Sequence, residues 1–368
     1  MKTLAFDLGR VVFDFDYNIA LERIRDRIGV PQHVIIDALF YKDFAGDFEK
    51  GLVSSYDFYL KFINEFKANL EYQNFLDVWC NIFYPKKETV ELLNKLKPVY
   101  PLYLISNINE LHFNYLYNKF SDVFSLFNDL ILSFEVKALK PEARIYQELK
   151  KVTNVPFEDI IYIDDRQDLI DKAKEFKLRC IKFHQLPQLI KDLEAQKIFV
   201  PSRQEIDVLI RLKEIMGKHN KPLLVGLGNR LRCDDRVGSC IAEYLENKIS
   251  IDICDAKESL ENYLNKIANF KNDLIIFIDG VRYKSENRFQ LFSIDDIQKA
   301  HFYLTHDSSL NLAIQYLHKR KLVDILILGI RGYNFDIGEE MSEETEKAKN
   351  IIENFFIKNY SANHCYKI

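Results

Sequence analysis

Short apolar runs rich in β-branched residues recur along this chain, and nearly every one ends on a polar residue or glycine before a helical pattern begins. Thr3–Phe6, Leu102–Ile105, Ile160–Ile163 and Cys180–Phe183 lie in the first half; Leu223–Gly226, Leu274–Ile278 and Ile325–Leu328 lie in the second. Runs this short and this continuous are strands buried on both faces, and the helix-length segments between them are crossovers. The fold class that follows is α/β: two doubly wound domains, each built on a parallel sheet. In such sheets the strand-end residues gather at the carboxyl edge, where ligands bind. With 368 residues the chain has room for roughly two to three domains.

The interval 17–90 breaks the alternation. Its period is helical (Ile19, Leu21, Ile24, Ile28, then Phe58, Phe62, Phe66) and it holds no convincing strand, so it reads as an all-helical insertion between the first two strands. The first alternating system occupies 1–195. Residues 196–220, with an amphipathic helix at Ser202–Gly217, read as a linker, and a second system occupies 221–358. The last ten residues, 359–368, read as a frayed tail.

A net charge of −4 gives no basic footprint for nucleic acid. No run of 18 apolar residues offers a membrane span, and the first residues lack the pattern of a signal peptide. The six cysteines include no CxxC pair, which points away from a zinc knuckle or a disulfide framework and toward the cytoplasm.

Asp7, Ser106, Lys140, Asp164 and Asp165 each follow an apolar run or open a helix. Neighbouring strands would bring them to one edge. A carboxylate there can attack phosphorus, others can hold Mg²⁺, and a lysine and a hydroxyl can neutralise phosphate oxygens. Singly, each residue also fits an ordinary helix cap.

The strings FDLGRVVFDFD, LISNINELH, LKPEARIYQ and YIDDRQDLIDKA resemble, in order, the four motifs of the haloacid dehalogenase-like hydrolases. KPEARIY, and EKGLVSSYDF in the helical insert, are similar to the sugar-phosphate phosphatase subgroup. The resemblance implies a Rossmann-like core, a helical cap at 17–90 and Mg²⁺-dependent aspartyl-phosphate chemistry on a small phosphorylated metabolite. It makes Asp7 the nucleophile and a metal ligand, Ser106 a donor to phosphate oxygen and Lys140 the cation facing both. Asp164 and Asp165 would serve the metal, with the Gly9 carbonyl completing its shell. Two positions depart from the pattern: Gly9 stands where most relatives carry a general acid, and Arg166 follows the aspartate pair where the subgroup has asparagine.

In the second half, LLVGLGNRLRCDDRVGSCIAEYL reads as strand, glycine loop and helix. It lacks the third glycine at the spacing of a dinucleotide fold, which argues against that use. Asp235, Asp279 near the end of LIIFIDG, and His306 at a helix start are expected on three loops of one sheet edge. Two carboxylates and an imidazole suit a borderline ion such as Ni²⁺ or Zn²⁺. Helix caps are the other reading of the same residues.

VGLGNRLRCDDRVG, LIIFIDG, THDSSLN and LILGIRGYNFDIGEEMSEET resemble, in order, the hydrogenase maturation endopeptidases. Those enzymes trim the C-terminal extension of [NiFe]-hydrogenase large subunits. The resemblance implies that Asp235, Asp279 and His306 contact nickel already loaded in the precursor. Arg236 and Cys254-Asp255 stand where this family has glycines, and Arg331-Gly332 replaces its usual Gln/Glu-Pro. Glycine positions with positive φ resist substitution, so these loops are where the backbone is expected to differ. The expected protein is a bifunctional hydrolase. The rival expectation is that one or both domains serve as a binding or assembly module, favoured by Gly9 and Arg236.

Overall fold

The structure, a computed structural model, describes residues 2–41, 45–283, 285–294, 296, 303–304, 307–320 and 323–362. The chain forms two compact units, Lys2–Asp192 and Leu193–Ile368. Both are α/β, as the alternating runs predict.

In the first unit, β1 (Thr3–Phe6), β4 (Leu102–Ser106), β5 (Asp129–Leu132), β6 (Ile160–Asp164) and β7 (Arg179–Lys182) make one parallel sheet in the order β5-β4-β1-β6-β7. The wholly buried TLAF of β1 lies at its centre, with Phe6 opposite Leu104 on one side and Ile163 on the other. Strand order reverses between β1 and β6, and a crevice opens at such a switch point. Asp7 follows β1 and Asp164 ends β6, so the topology alone delivers both carboxylates to that crevice.

The insertion is helical over Tyr17–Ile24, Gln32–Tyr41, Ser55–Phe66 and Tyr72–Cys80. Phe58, Phe62 and Phe66 repeat every fourth residue and so share one helix face, packed with Phe75 and Trp79. Ser54 caps that helix by accepting from the Asp57 backbone N–H at 3.1 Å. The interval is not wholly helical, however. β3 (Phe83–Pro85) pairs antiparallel with β2 (Phe13–Phe15), a ribbon too short to register as alternation. His112 stacks on Trp79 at 5.5 Å, and burial drives its pKa down to about 4. It is a neutral core histidine.

The second unit has β8 (Pro222–Leu227), β9 (Asp252–Lys257), β10 (Leu274–Arg282), β11 (Phe289–Ser293), β12 (Tyr303–Leu304) and β13 (Asp324–Arg331). They run β11-β13-β10-β8-β9, with β12 on β10; β11 and β12 are antiparallel, the rest parallel. Order reverses between β8 and β10, so the loop after β8 and the end of β10 flank this sheet's switch point. Asp235 and Asp279 sit there.

A close helix–sheet approach is present here although the expected third glycine is not. Gly238, on helix Val237–Leu245, takes that part at a later position. A Cβ on it would lie 1.9 Å from the Ile278 carbonyl oxygen and 2.5 Å from that of Leu227. Gly238→Ala is therefore expected to push the helix off the sheet and cost at least about 2 kcal/mol. Denaturant titration checks this, and an unchanged midpoint would count against the tight packing.

The helix predicted at 202–217 forms as Arg203–Met216 with Ser202 and Glu205 in a capping box. It packs into the second unit: Glu205 is buried and takes Arg288 Nη2 at 2.7 Å. The closing helix, Glu343–Tyr360, runs into the stretch expected as tail. Its end is held because the Tyr360 carbonyl accepts from Ser250 N at 2.8 Å. Among the described residues no helix is long and apolar enough to cross a membrane.

Candidate active sites

At the first switch point, one ligand oxygen from each of Asp7, Asp164 and Asp165 lies within 4.8 Å of the others. Lys140 is buried between them, its Nζ donating to Asp7 Oδ1 at 2.6 Å and to Asp164 Oδ2 at 2.8 Å. Burial alone would pull the ammonium pKa down; the two carboxylates outweigh it and raise it above its usual value. Asp7 behaves oppositely. Burial pushes its pKa up to about 7 against the pull of Lys140, and Asp164 adds to the rise. Asp165 is also raised, first by burial and then by Asp164. A divalent cation relieves this crowding of acids, and hard oxygen donors suit Mg²⁺.

Ser106, buried at the end of β4, is two strands from Asp164 and one from Asp7. Three further residues shape the site without having been expected to. Asn107 clamps the Lys140 backbone, donating from Nδ2 to its carbonyl at 3.0 Å and accepting from its N–H at 2.7 Å. The Tyr162 hydroxyl donates to Asp164 Oδ2. Phe15 fills the space beside Gly9: a Cβ at that glycine would meet its ring at 3.1 Å, and Asp7 Oδ2 at 3.9 Å. The Arg166 guanidinium pairs with Asp168, at 2.6 Å, while its backbone N–H donates to Asp164 Oδ1 at 2.9 Å.

In the second unit, the loop after β8 turns at Gly228 with φ +135, where a Cβ would come within 1.9 Å of the Asp235 carbonyl oxygen. This turn seats the acidic pair on the end of β10. A Cβ on Gly280, next to Asp279, would lie 3.5 Å from Asp235 Cα. Asp235 and Asp279 are both buried, and Asp235 Oδ2 accepts from Asn229 N at 3.0 Å. His306 lies outside the described residues.

Asp234 plays another part. Its carboxylate accepts from Tyr333 N at 2.6 Å, Asn334 N at 2.8 Å, Ser342 N at 2.7 Å and Ser342 Oγ at 2.9 Å. It thus ties down both ends of the 333–342 strap. At the positions where the resemblance leads to glycine the backbone is not in the left-handed region: Arg236 has φ −68, and Cys254 and Asp255 are absent from the positive-φ residues. Arg236 Nη1 donates to the Glu339 carbonyl at 2.6 Å, adding a second tie to the strap. Arg230 bridges Asp255 at 2.8 Å and Glu243 at 3.1 Å.

A buried lysine between clustered carboxylates at the edge of a parallel sheet is where an α/β fold places a ligand site. Residues 2–175 match the family model of haloacid dehalogenase-like hydrolases, which bears out the resemblance of the four motifs in that part of the chain.

Drimenol cyclase drtB of Aspergillus calidoustus is 23% identical over 204 residues, covering 52% of this chain and 36% of that enzyme. The matched stretch is thus little more than a third of the relative's length. A solved haloacid dehalogenase family enzyme from Bacteroides thetaiotaomicron, in complex with magnesium and inorganic phosphate, is 21% identical. The match covers 50% of this chain and 94% of that one, with a TM-score of 0.45. For the C-terminal part, a [NiFe] hydrogenase maturation protease from Thermococcus kodakarensis is 22% identical over 40% of this chain and 96% of that one, with a TM-score of 0.34.

Proposed function

We propose that the chain is a bifunctional hydrolase: an N-terminal Mg²⁺-dependent phosphohydrolase at 1–195 with its cap at 17–90, a linker helix at 196–220, and a hydrogenase maturation endopeptidase at 221–358. The observation that carries the first activity is the buried Asp7–Lys140–Asp164 arrangement with Asp165 beside it. Asp7, Asp164 and Asp165, with the Gly9 carbonyl, would hold Mg²⁺. When bound, that ion supplies positive charge against the phosphate oxygens. An Asp7 carboxylate oxygen attacks phosphorus, forming the O–P bond of an aspartyl phosphate as the ester oxygen leaves. Lys140 favours the ionised form of Asp7 against its burial, and Ser106 donates to a phosphate oxygen. The leaving oxygen takes its proton from solvent, because Gly9 has none to give. Water then attacks phosphorus, returning Asp7 and releasing phosphate. This chemistry favours small phosphorylated metabolites whose leaving oxygen needs little help. The test is phosphate release from a panel of such esters, with Mg²⁺ and with a chelator. No turnover of any ester would favour a binding role for this unit, to which Phe15 packed beside Gly9 already lends weight.

In the second unit, Asp235, Asp279 and His306 are the proposed contacts to nickel carried by a [NiFe]-hydrogenase large-subunit precursor. The seating of Asp235 on the end of β10 beside Asp279 supports this reading. Two hard ligands, one in the turn that follows β8 and one within β10, leave coordination open for a metal presented by the substrate. Cleavage would then wait for nickel. Purified protein incubated with precursor, with and without nickel, is expected to remove the C-terminal extension only from the loaded form, read by mass. Equal cleavage of both forms would overturn the gating. The described cysteines are all free thiols, in keeping with a cytoplasmic setting.

A further inference from the structure

We propose that Tyr162 is a positioning residue for the first site, its hydroxyl fixing the Asp164 carboxylate in the orientation that receives the metal. The proposal rests on the reading of that site as a Mg²⁺ site. β6 is otherwise apolar where it is buried (Ile160, Ile161 and Ile163), so a phenol in this strand has to justify a buried hydroxyl. Residues 162 and 164 alternate onto the same side of the strand, which aims the phenol along the sheet at the carboxylate. The hydroxyl donates to Asp164 Oδ2, the oxygen that also takes Lys140 Nζ at 2.8 Å. Among the described residues Oδ1 takes the Arg166 backbone N–H, at 2.9 Å, and no side-chain donor.

Tyr162 is itself held. Its ring meets Tyr146 edge-on at 6.0 Å and carries Lys140 Nζ 5.6 Å from its centroid. Both tyrosines are fully buried. A backbone N–H and a fixed lysine alone leave a carboxylate room to swing about its last torsion. A second donor on Oδ2 removes that freedom, and such outer partners commonly set metal affinity.

Magnesium alone is the probe, titrated calorimetrically into the full chain. Tyr162→Phe keeps the ring and its packing and removes only the donor. It is expected to weaken Mg²⁺ binding about ten-fold, and Tyr162→Leu is expected to weaken it at least as much. Both are measured well below their melting transitions, where a merely structural defect leaves the affinity of the folded protein unmoved. The Mg²⁺ concentration for half-maximal phosphate release should rise in parallel, with the rate at saturating Mg²⁺ changed far less. Unchanged affinity in the folded Phe variant would overturn the proposal while leaving the site reading intact. Absence of any Mg²⁺ binding by the wild-type chain, with Asp164→Asn as its reference, would overturn the site reading itself and this inference with it.

Discussion

Replacing Asp7 by asparagine is expected to lower Mg²⁺-dependent hydrolysis of small phosphate esters by at least about a thousand-fold, because an amide is a very poor nucleophile. The substitution is nearly isosteric, so the loss has to come from chemistry and not from shape. Asp7 is held above its ordinary pKa first by burial, so its charge is costly to the folded state and a neutral amide relieves that cost. Against this, Lys140 loses one of its two carboxylate partners but keeps Asp164 at 2.8 Å. The two effects oppose each other, and the melting temperature is expected to move by only a few degrees. Phosphate release measured beside a thermal melt separates the contributions. Hydrolysis that survives in a folded Asp7→Asn protein would place the chemistry elsewhere.

Why Asp7 was legible in the sequence, and Tyr162 was not, has a physical answer. Asp7 interrupts an apolar run at its end, and a charge at the end of a buried strand has few structural reasons to be there. Tyr162 sits inside such a run, where an aromatic ring is ordinary and its hydroxyl gives no signal. Asp164 is readable for the same reason as Asp7 and Lys140 from the LKPEARIYQ string that opens a helix, but the Asn107 clamp depends on a contact 33 residues away in sequence. The two sheets are readable from their inner strands and, at one edge, from β7. β5 is DLIL, with only three apolar residues in a row, and β9 reads DICDAK, too polar for an apolar run. Gly238 lies outside the fixed spacing of a dinucleotide fingerprint, because what the packing needs is a missing Cβ against the Ile278 carbonyl.

The adjacent acids Asp234 and Asp235 are the sharpest case, because sequence treats them as a pair and the fold separates them. Asp234→Ala is expected to cost about 3–5 kcal/mol, since three backbone N–H groups and the Ser342 hydroxyl lose their common acceptor where Asp234 is fully buried. Some of that loss is recovered by water entering under the strap, which is why the sum is well below four full desolvation penalties. The melting temperature should fall by roughly 10 °C. Asp235→Asn is different. Its side-chain oxygen can still accept from Asn229 N, so the turn at Gly228 survives and stability should change by less than about 1 kcal/mol. What it removes is a charged ligand, and cleavage of nickel-loaded precursor should fall below detection. A calorimetric melt and a precursor-cleavage assay on both variants test the division of labour. A stable Asp234→Ala protein would mean that the strap is held by its other contacts, Arg236 to the Glu339 carbonyl first among them. An Asp235→Asn protein that cleaves at the wild-type rate would remove the charge at 235 from nickel recognition, leaving Asp279 and His306 to account for it.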